Sequence, residues 1–157
     1  MVWSFPERLH CNESRETTKP SGHRPLRLRL TVAAILDSSA IVAYLKNEAG
    51  ADEVARYLDT GSIVAVNAAE VIAVLIRNGM LGGEAREALL ALGIPIIPLD
   101  AALALRAGEI FAGTRQFGLS MGDASCLALA ETTRSEAITA DRTWASTGLG
   151  IPVRLIR

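Results

Sequence analysis

The sequence predicts a single α/β domain with a mainly parallel central sheet, and three observations lead to this prediction. The chain has 157 residues, of which 50% are apolar, and this suits one globular domain with a sizeable core. Short apolar runs rich in β-branched residues alternate with longer segments of helical periodicity. No uncharged apolar run reaches the roughly 18 residues that a membrane-spanning helix needs, so we expect no membrane span.

The first 31 residues differ from the rest of the chain. They carry six basic and three acidic side chains, a net charge of +3, whereas the other 126 residues carry 10 basic and 14 acidic ones, a net charge of -4. They show no helical or strand periodicity before the alternating run at 26–30. We interpret residues 1–31 as a basic tail, either disordered or added by a start chosen too early, and residues 32–157 as the folded domain.

In the first half of the domain, capping and turn residues separate two strands from three helices. Ser38 or Ser39 can cap the first helix, and Gly61 can close the second. Asn67 can cap the third, which is almost wholly apolar apart from Glu70. The predicted elements are a strand at 32–36, a helix up to 46, a helix at 50–58, a strand at 62–66 and a helix at 68–77.

The second half repeats the alternation of helices and strands. In the apolar run at 95–99, prolines lie near the ends, where a strand tolerates them. Asp100 can cap a long helix that Gly118 stops, and Ser120 opens the helix after it. The predicted elements are a helix at 84–92, a strand at 95–99, helices at 101–116 and 121–132, and strands at 137–140 and 153–156.

The histidines and cysteines exclude several chemistries. Both histidines, His10 and His23, lie in the first 31 residues, so the domain has no candidate for a histidine-dependent catalytic dyad or triad. The two cysteines, Cys11 and Cys126, are too few for a disulfide scaffold or a cysteine-rich zinc site. We therefore expect a protein of the reducing cytoplasm.

Four acidic residues stand where a parallel α/β sheet places its ligands. Asp37 and Asp141 directly follow predicted strands, and Asp123 and Glu70 lie in the first turns of predicted helices. Each also has a purely structural interpretation. Asp37 and Asp141 can cap the helices that follow them, and Asp123 completes a capping box with Ser120. Glu70 is harder to explain in this way, because its apolar neighbours predict partial burial and a buried carboxylate needs a partner.

Taken together, the four acids predict a bound cation. Lys46 is the only lysine after residue 31, so few basic groups can neutralise carboxylates that converge. Clustered carboxylates repel one another strongly when they are partly buried. With oxygen ligands alone, the cation should be hard, Mg²⁺ or Mn²⁺, and zinc is disfavoured.

The segments around these acids resemble the four acidic blocks of PIN-domain ribonucleases, and among them the VapC-type toxins of bacterial toxin–antitoxin pairs. The matching segments are Ile35-Leu36-Asp37-Ser38-Ser39-Ala40, Asn67-Ala68-Ala69-Glu70-Val71, Leu119-Ser120-Met121-Gly122-Asp123-Ala124-Ser125-Cys126-Leu127-Ala128 and Ile138-Thr139-Ala140-Asp141-Arg142-Thr143-Trp144. They occur in order within 32–157, and residues 1–31 lie outside the match.

The resemblance implies a three-layer α/β/α fold and a divalent-metal-dependent endoribonuclease. It implies that Asp37, Glu70, Asp123 and Asp141 are the metal-binding and catalytic acids. Ser39 and Thr139 match nearby hydroxyl positions and would hydrogen-bond carboxylates or water, although a helix cap and a strand-end hydroxyl explain them equally well. It also implies a homodimer and a cognate antitoxin that covers the acidic pocket.

RNA phosphates would need cations around such a pocket. Arg142 and Arg115 are the candidates, against the alternative that both are simply solvated. Trp144 could stack on a base but is better interpreted as a core residue.

Apolar residues on two helices suggest a buried contact between chains, although each helix alone could be core. The residues are those at 68–76 and Leu103, Leu105, Ile110 and Phe111.

Three alternative functions compete with a toxin nuclease. A phospho-acceptor signalling domain also gathers acids at a sheet edge, but it needs a lysine after a late strand, and no lysine follows Lys46. An inert metal-binding or interaction module is disfavoured by acids at all four positions. A housekeeping RNA-processing nuclease shares the chemistry, and the small size and lack of an added RNA-binding domain favour the toxin.

Overall fold

The computed structural model describes residues 34–157, and the predicted tail at 1–31 lies outside the described residues. The described chain forms five strands and six α-helices, together with two short 3-10 helices, Arg115–Phe117 and Arg142–Ser146. The strands are β1 (Ala34–Leu36), β2 (Gly61–Val64), β3 (Ile96–Ile97), β4 (Glu136–Thr139) and β5 (Val153–Leu155). The helices are α1 (Ser38–Leu45), α2 (Ala51–Ala55), α3 (Ala65–Arg77), α4 (Gly82–Leu90), α5 (Ala101–Thr114) and α6 (Met121–Thr133).

The five strands form one sheet in the order β3-β2-β1-β4-β5, and every pairing is parallel. The chain runs outward from β1 through β2 to β3, and then crosses to the other side of β1 to form β4 and β5. The carboxyl ends of β1 and β4 therefore flank the point where the winding direction reverses. In open α/β sheets this is where ligands bind.

Two apolar cores cover the two faces of the sheet. Because side chains alternate along a strand, Leu36 points into the core beneath α1 to α4, and Ile35 points into the core beneath α5 and α6. The three-layer α/β/α prediction is thus confirmed. Trp144 is buried in the second core, which confirms its interpretation as a core residue. Within the described residues, no helix is both long and apolar enough to cross a membrane.

The predicted junction between β2 and α3 is wrong. The strand ends at Val64 and not at 66, and the helix starts directly at Ala65, so no loop separates them. Asn67 does not cap α3, because it lies inside its first turn and is fully buried. The buried side chain has instead found a partner across the sheet, Asp37.

Smaller differences concern caps and lengths. The first helix is capped by Asp37, which accepts from the Ser39 backbone N–H, and not by Ser38 or Ser39. The second helix closes after five residues and the strand expected at 95–99 pairs only at Ile96–Ile97. Helix α4 begins two residues before its predicted start at 84. Helix α5 ends at Thr114 and the 3-10 helix follows it.

Candidate active site

Asp37 is the centre of the site and the most deeply placed of the four acids. It directly follows β1 at the reversal point of the sheet and is only 2% exposed. Its backbone N–H still donates to the Ile138 carbonyl, at 2.9 Å, so the β1–β4 pairing fixes its position. The carboxylate is therefore carried by the most rigid part of the fold.

The two oxygens of the Asp37 carboxylate have different partners. The Oδ2 atom accepts three hydrogen bonds, from Ser39 Oγ at 2.6 Å, Ser39 N at 3.2 Å and Thr139 Oγ1 at 3.0 Å. The Oδ1 atom accepts from Asn67 Nδ2 at 3.0 Å and from Ser38 Oγ at a longer 3.3 Å. All of these donors are neutral, so they satisfy the buried carboxylate without neutralising its charge.

Glu70 and Asp123 both line an open cleft of about 740 Å³. Glu70 extends from α3 and Asp123 from the first turn of α6. The lining of the cleft combines these acids with small, apolar and basic side chains. Its residues are Ser38, Glu70, Ala73, Val74, Ile76, Arg77, Ser120 and Asp123.

The carboxyl group of Glu70 lies directly against the backbone of α6. A methyl group added at Gly122 would lie 2.7 Å from Glu70 Cδ, closer than real contacts allow, so only glycine leaves room for the carboxylate there. The amino-terminal end of a helix favours negative charge, and both Glu70 and Asp123 lie at this end of α6. Asp123 also caps the helix, because it accepts from Ser120 N at 2.7 Å while Ser120 Oγ accepts from Asp123 N at 3.1 Å.

Burial and neighbouring negative charges raise the pKa of both carboxyl groups. The pKa of Asp123 is raised from 3.8 to about 6, mainly by burial; the charges of Asp37 and Glu70 contribute to this rise, and the hydrogen bonds with Ser120 oppose it. Burial also raises the pKa of Glu70, aided by the charge of Asp37 and opposed by a hydrogen bond from Ser38. The charge of Asp37 thus acts on both Glu70 and Asp123, and the charge of Glu70 acts on Asp123.

The buried thiol of Cys126 is affected by the same three acids. Burial raises its pKa well above the usual range, and the charges of Asp37, Asp123 and Glu70 each add to this rise. Cys126 therefore lies within electrostatic reach of all three carboxylates.

Asp141 is connected to Asp37 through Thr139, and its carboxylate caps a short helix. Its Oδ1 atom accepts from Thr143 N at 2.9 Å and Thr143 Oγ1 at 2.8 Å, so the carboxylate caps the 3-10 helix Arg142–Ser146. Its link to Asp37 runs through Thr139, whose hydroxyl accepts from Asp141 N at 3.0 Å and donates to Asp37 Oδ2 at 3.0 Å. Asp141 does not line the cleft.

Arg77 is the basic residue among those that line the cleft, and it was not predicted from the sequence. It lies seven residues after Glu70, two helical turns along the same face of α3, and this spacing is the signal that could have identified it. Within the described residues it forms no ion pair. The two arginines proposed from the sequence, Arg115 and Arg142, are exposed and lie outside the cleft lining.

The donor set suits a hard divalent cation. None of the four acids forms an ion pair with a described lysine or arginine, and their neighbours offer oxygen atoms rather than nitrogen or sulfur ligands. Across residues 34–157, however, no three acidic, cysteine or histidine side chains are arranged as they stand to hold a metal ion. The chemistry fits Mg²⁺ or Mn²⁺, and a cation would have to draw the carboxylates together.

Comparison with solved structures places the fold among toxin–antitoxin proteins. VapBC2 from Rickettsia felis, crystallised with a promoter DNA fragment, is 14% identical with a TM-score of 0.61, over 78% of this chain and 97% of the other. VapC20 from Mycobacterium tuberculosis, a toxin that cleaves the sarcin-ricin loop, is 18% identical with a TM-score of 0.60, over 73% of this chain and 95% of the other. A toxin–antitoxin complex from Klebsiella pneumoniae is 22% identical with a TM-score of 0.58, over 79% of this chain and 98% of the other.

Sequence comparisons give the family. No curated protein sequence matches the chain. The family model of the PIN domain matches residues 34–149, which is most of the described chain and contains all four acids of the sequence analysis. The resemblance seen in the sequence is confirmed, and the chain belongs to the PIN domain family.

Proposed function

We propose that this protein is a divalent-metal-dependent endoribonuclease and the toxin of a toxin–antitoxin pair. The observation that carries the proposal is that Asp37, whose charge acts on Glu70 and Asp123, lies at the reversal point of a PIN-domain sheet, and that none of the three acids has a described cationic partner. Such a group is costly for the fold unless it serves to bind a cation.

The proposed metal ligands are Asp37, Glu70, Asp123 and Asp141. A bound Mg²⁺ or Mn²⁺ would lower the pKa of a water molecule and offset the charge that develops on the scissile phosphate, which removes the need for a histidine base. Asp37 provides the fixed ligand, since its neighbours hold it in one orientation. Glu70 has the longest side chain of the four, and its contact with Gly122 places its carboxyl group at the start of α6.

The hydroxyl groups of Ser39 and Thr139 keep this arrangement in place. Both donate to Asp37 Oδ2, and Ser39 Oγ also accepts from Ala140 N at 2.9 Å. They thereby connect the ends of β1 and β4. We propose that they orient the Asp37 carboxylate and leave the binding of metal to the acids.

Arg77 is the proposed contact to an RNA phosphate near the scissile bond. An acidic cleft repels RNA, so a cation on its wall is needed to hold the substrate. Arg77 lines the cleft together with Glu70 and Asp123 and has no described acidic partner. Arg115 and Arg142 remain proposed contacts further from the cleft, to the flanking strand.

The proposed partners are an RNA substrate, a second copy of the chain and a cognate antitoxin, all in the cytoplasm. The similar structures from Rickettsia felis and Klebsiella pneumoniae are toxin–antitoxin assemblies, which supports an antitoxin as partner. The negative charge of the cleft favours an antitoxin segment that places an arginine or lysine among the acids. Exposed apolar side chains on α3 and α5, Ile76 and Leu105, support a contact between chains.

A cleavage assay tests the proposed activity. Structured RNAs are incubated with the purified protein in Mg²⁺, in Mn²⁺ or in chelator, and the fragments are separated by size. Cleavage should occur with either metal and stop in chelator. The variant Asp37→Asn should lose activity by orders of magnitude while the fold survives, because the amide has nearly the same shape but no charge. Cleavage that continues in chelator, or in the variant, would contradict the proposal.

A further inference from the structure

Asn67 is a buried polar residue with an incomplete set of hydrogen bonds. It lies in the first turn of α3, three residues before Glu70, and is fully buried. Its Nδ2 atom donates to Asp37 Oδ1 at 3.0 Å, whereas its Oδ1 atom has no hydrogen-bond partner. A buried acceptor without a partner costs about 1–3 kcal/mol. A leucine would fill nearly the same space without this cost, so packing alone does not account for the asparagine.

The contact that Asn67 makes is with the less occupied oxygen of Asp37. With three donors, Oδ2 has no free lone pair for a cation. Oδ1 holds one firm hydrogen bond, from Asn67, and a longer one from Ser38 Oγ. Ser38 lies on the cleft wall with Glu70 and Asp123, so the side of Oδ1 that Ser38 occupies faces the other two acids.

We infer that Asn67 is a positioning residue for the metal site, which holds Asp37 so that Oδ1 alone is presented to a divalent cation. The cation takes the place of the Ser38 hydroxyl at Oδ1, and the amide of Asn67 fixes the orientation of the carboxylate from the opposite side. The inference rests on the proposed function, because it assigns a role within the same site.

One helix then supplies two different parts of the site. Asn67 contacts the buried Asp37. Glu70 follows almost one helical turn later and lines the cleft. The direct junction of β2 with α3 at Val64 and Ala65 places this turn against the end of β1. A neutral amide suits this role, since a lysine or arginine would compete with the metal for the carboxylate.

Calorimetric titration of the full-length, metal-stripped protein with MnCl₂ tests the inference, because it measures metal affinity independently of activity. Two variants remove the amide donor. Asn67→Leu keeps most of the volume, and Asn67→Ala removes the donor without steric strain. Leu89→Ala is the matched control, because it deletes a buried side chain of α4 that belongs to the core and to no part of the site.

Both Asn67 variants should bind Mn²⁺ roughly 10- to 100-fold more weakly than the wild type, as is typical when a partner of a metal ligand is lost. Asn67→Leu should melt near the wild-type temperature, because removal of the unpaired oxygen offsets the loss of the hydrogen bond to Asp37 Oδ1. Leu89→Ala should melt earlier and bind Mn²⁺ as the wild type does.

Two results would overturn the inference. Wild-type Mn²⁺ affinity in both Asn67 variants would show that the amide does not position Asp37. Failure of both variants to fold would assign Asn67 to the stability of the domain instead. If the wild type itself binds no Mn²⁺, the proposed function fails, and this outcome is distinct from the other two.

Discussion

At the scale of single residues, the glycine at position 122 decides where Glu70 can place its carboxyl group. The variant Gly122→Ala should lower Mn²⁺ affinity and RNA cleavage at least tenfold, because the new methyl group forces the Glu70 carboxyl group away from the start of α6. The stability should stay equal or rise by up to about 1 kcal/mol, since alanine is the better helix former. Calorimetric titration and thermal unfolding measure the two effects separately.

Gly108→Ala is the control for this prediction. Gly108 lies in α5, and a methyl group there meets nothing within 4 Å. Its substitution should raise the melting temperature without changing metal affinity or cleavage. Equal metal affinity in Gly122→Ala and Gly108→Ala would show that Glu70 does not need its place against α6.

Asp123 makes the metal-free protein sensitive to pH. Its pKa is raised from 3.8 to about 6 in the folded state, so the folded protein binds a proton more tightly than the unfolded chain between these two values. Stability contributed by this proton is fully present below about pH 4, is lost as the pH rises towards 6, and stays lost above that. Asp123→Asn should therefore be more stable than the wild type at pH 8 in chelator, and the difference should vanish near pH 4.

Thermal unfolding of the two proteins between pH 4 and pH 8 checks this prediction. The asparagine can still accept the hydrogen bond from Ser120 N, so the capping of α6 is preserved and does not confound the comparison. Millimolar Mg²⁺ should stabilise the wild type more than the variant at pH 8. A variant that is less stable than the wild type at pH 8 in chelator would show that Asp123 is not under electrostatic strain.

At the scale of elements, α3 carries both proposed metal-site residues and the proposed phosphate contact, Arg77. Arg77→Gln should raise KM for RNA severalfold and reduce the slope of log KM against log salt by about 1, because one phosphate contact is lost. Affinity for Mn²⁺ should not change. Arg86→Gln, on the exposed surface of α4 and outside the cleft lining, should leave both quantities at wild-type values. The same salt dependence in both variants would remove Arg77 from the substrate path.

The sequence predicted the elements well because their signals are local. Alternating strands and helices, and caps such as Asp100 and Ser120, follow from neighbouring residues, and the structure confirms both caps. The predicted start of α3 was wrong because it depends on a contact between distant parts of the chain. Asparagine often caps helices, so Asn67 was a reasonable candidate. Its partner is instead Asp37, which is 30 positions away along the chain and becomes adjacent only when β1 and β2 pair.

The site was predicted at the level of residue types and not at the level of orientation. The sequence identifies the four acids because they follow strands or begin helices, and their assignment as metal ligands stays a prediction. The direction of the Asp141 carboxylate depends on Thr143, and the position of Glu70 depends on Gly122 of another helix. Neither dependence can be predicted from the spacing of acids. Arg77 was missed because a single exposed arginine gives no signal until the cleft is known.

At the scale of the whole molecule, exposed apolar side chains on α3 and α5 predict association. Leu105 is 74% exposed and Ile76 is 44% exposed, whereas Leu103 and Ile110, which were grouped with Leu105 in the sequence analysis, belong to the core. We expect a dimer with a mass of about 33 kDa by light scattering, twice the 16.7 kDa of one chain. Burial of this apolar surface supplies the stabilisation.

Two charge substitutions locate the interface. Leu105→Glu should shift the population to the monomer, because the carboxylate would have to be buried in the interface. Leu90→Glu, on α4 and 58% exposed, should remain dimeric. A wild-type mass of one chain would contradict the dimer, and a monomeric Leu90→Glu with a dimeric Leu105→Glu would move the interface from α5 to α4.

Diffraction from crystals grown with MnCl₂, measured on both sides of the manganese absorption edge, tests whether Asp37, Glu70 and Asp123 share one divalent cation. We predict one anomalous peak in the cleft, bonded to Asp37 Oδ1 and to a carboxylate oxygen of Glu70 or Asp123. A peak elsewhere in the molecule, or no peak in crystals that hold millimolar Mn²⁺, would contradict a shared site.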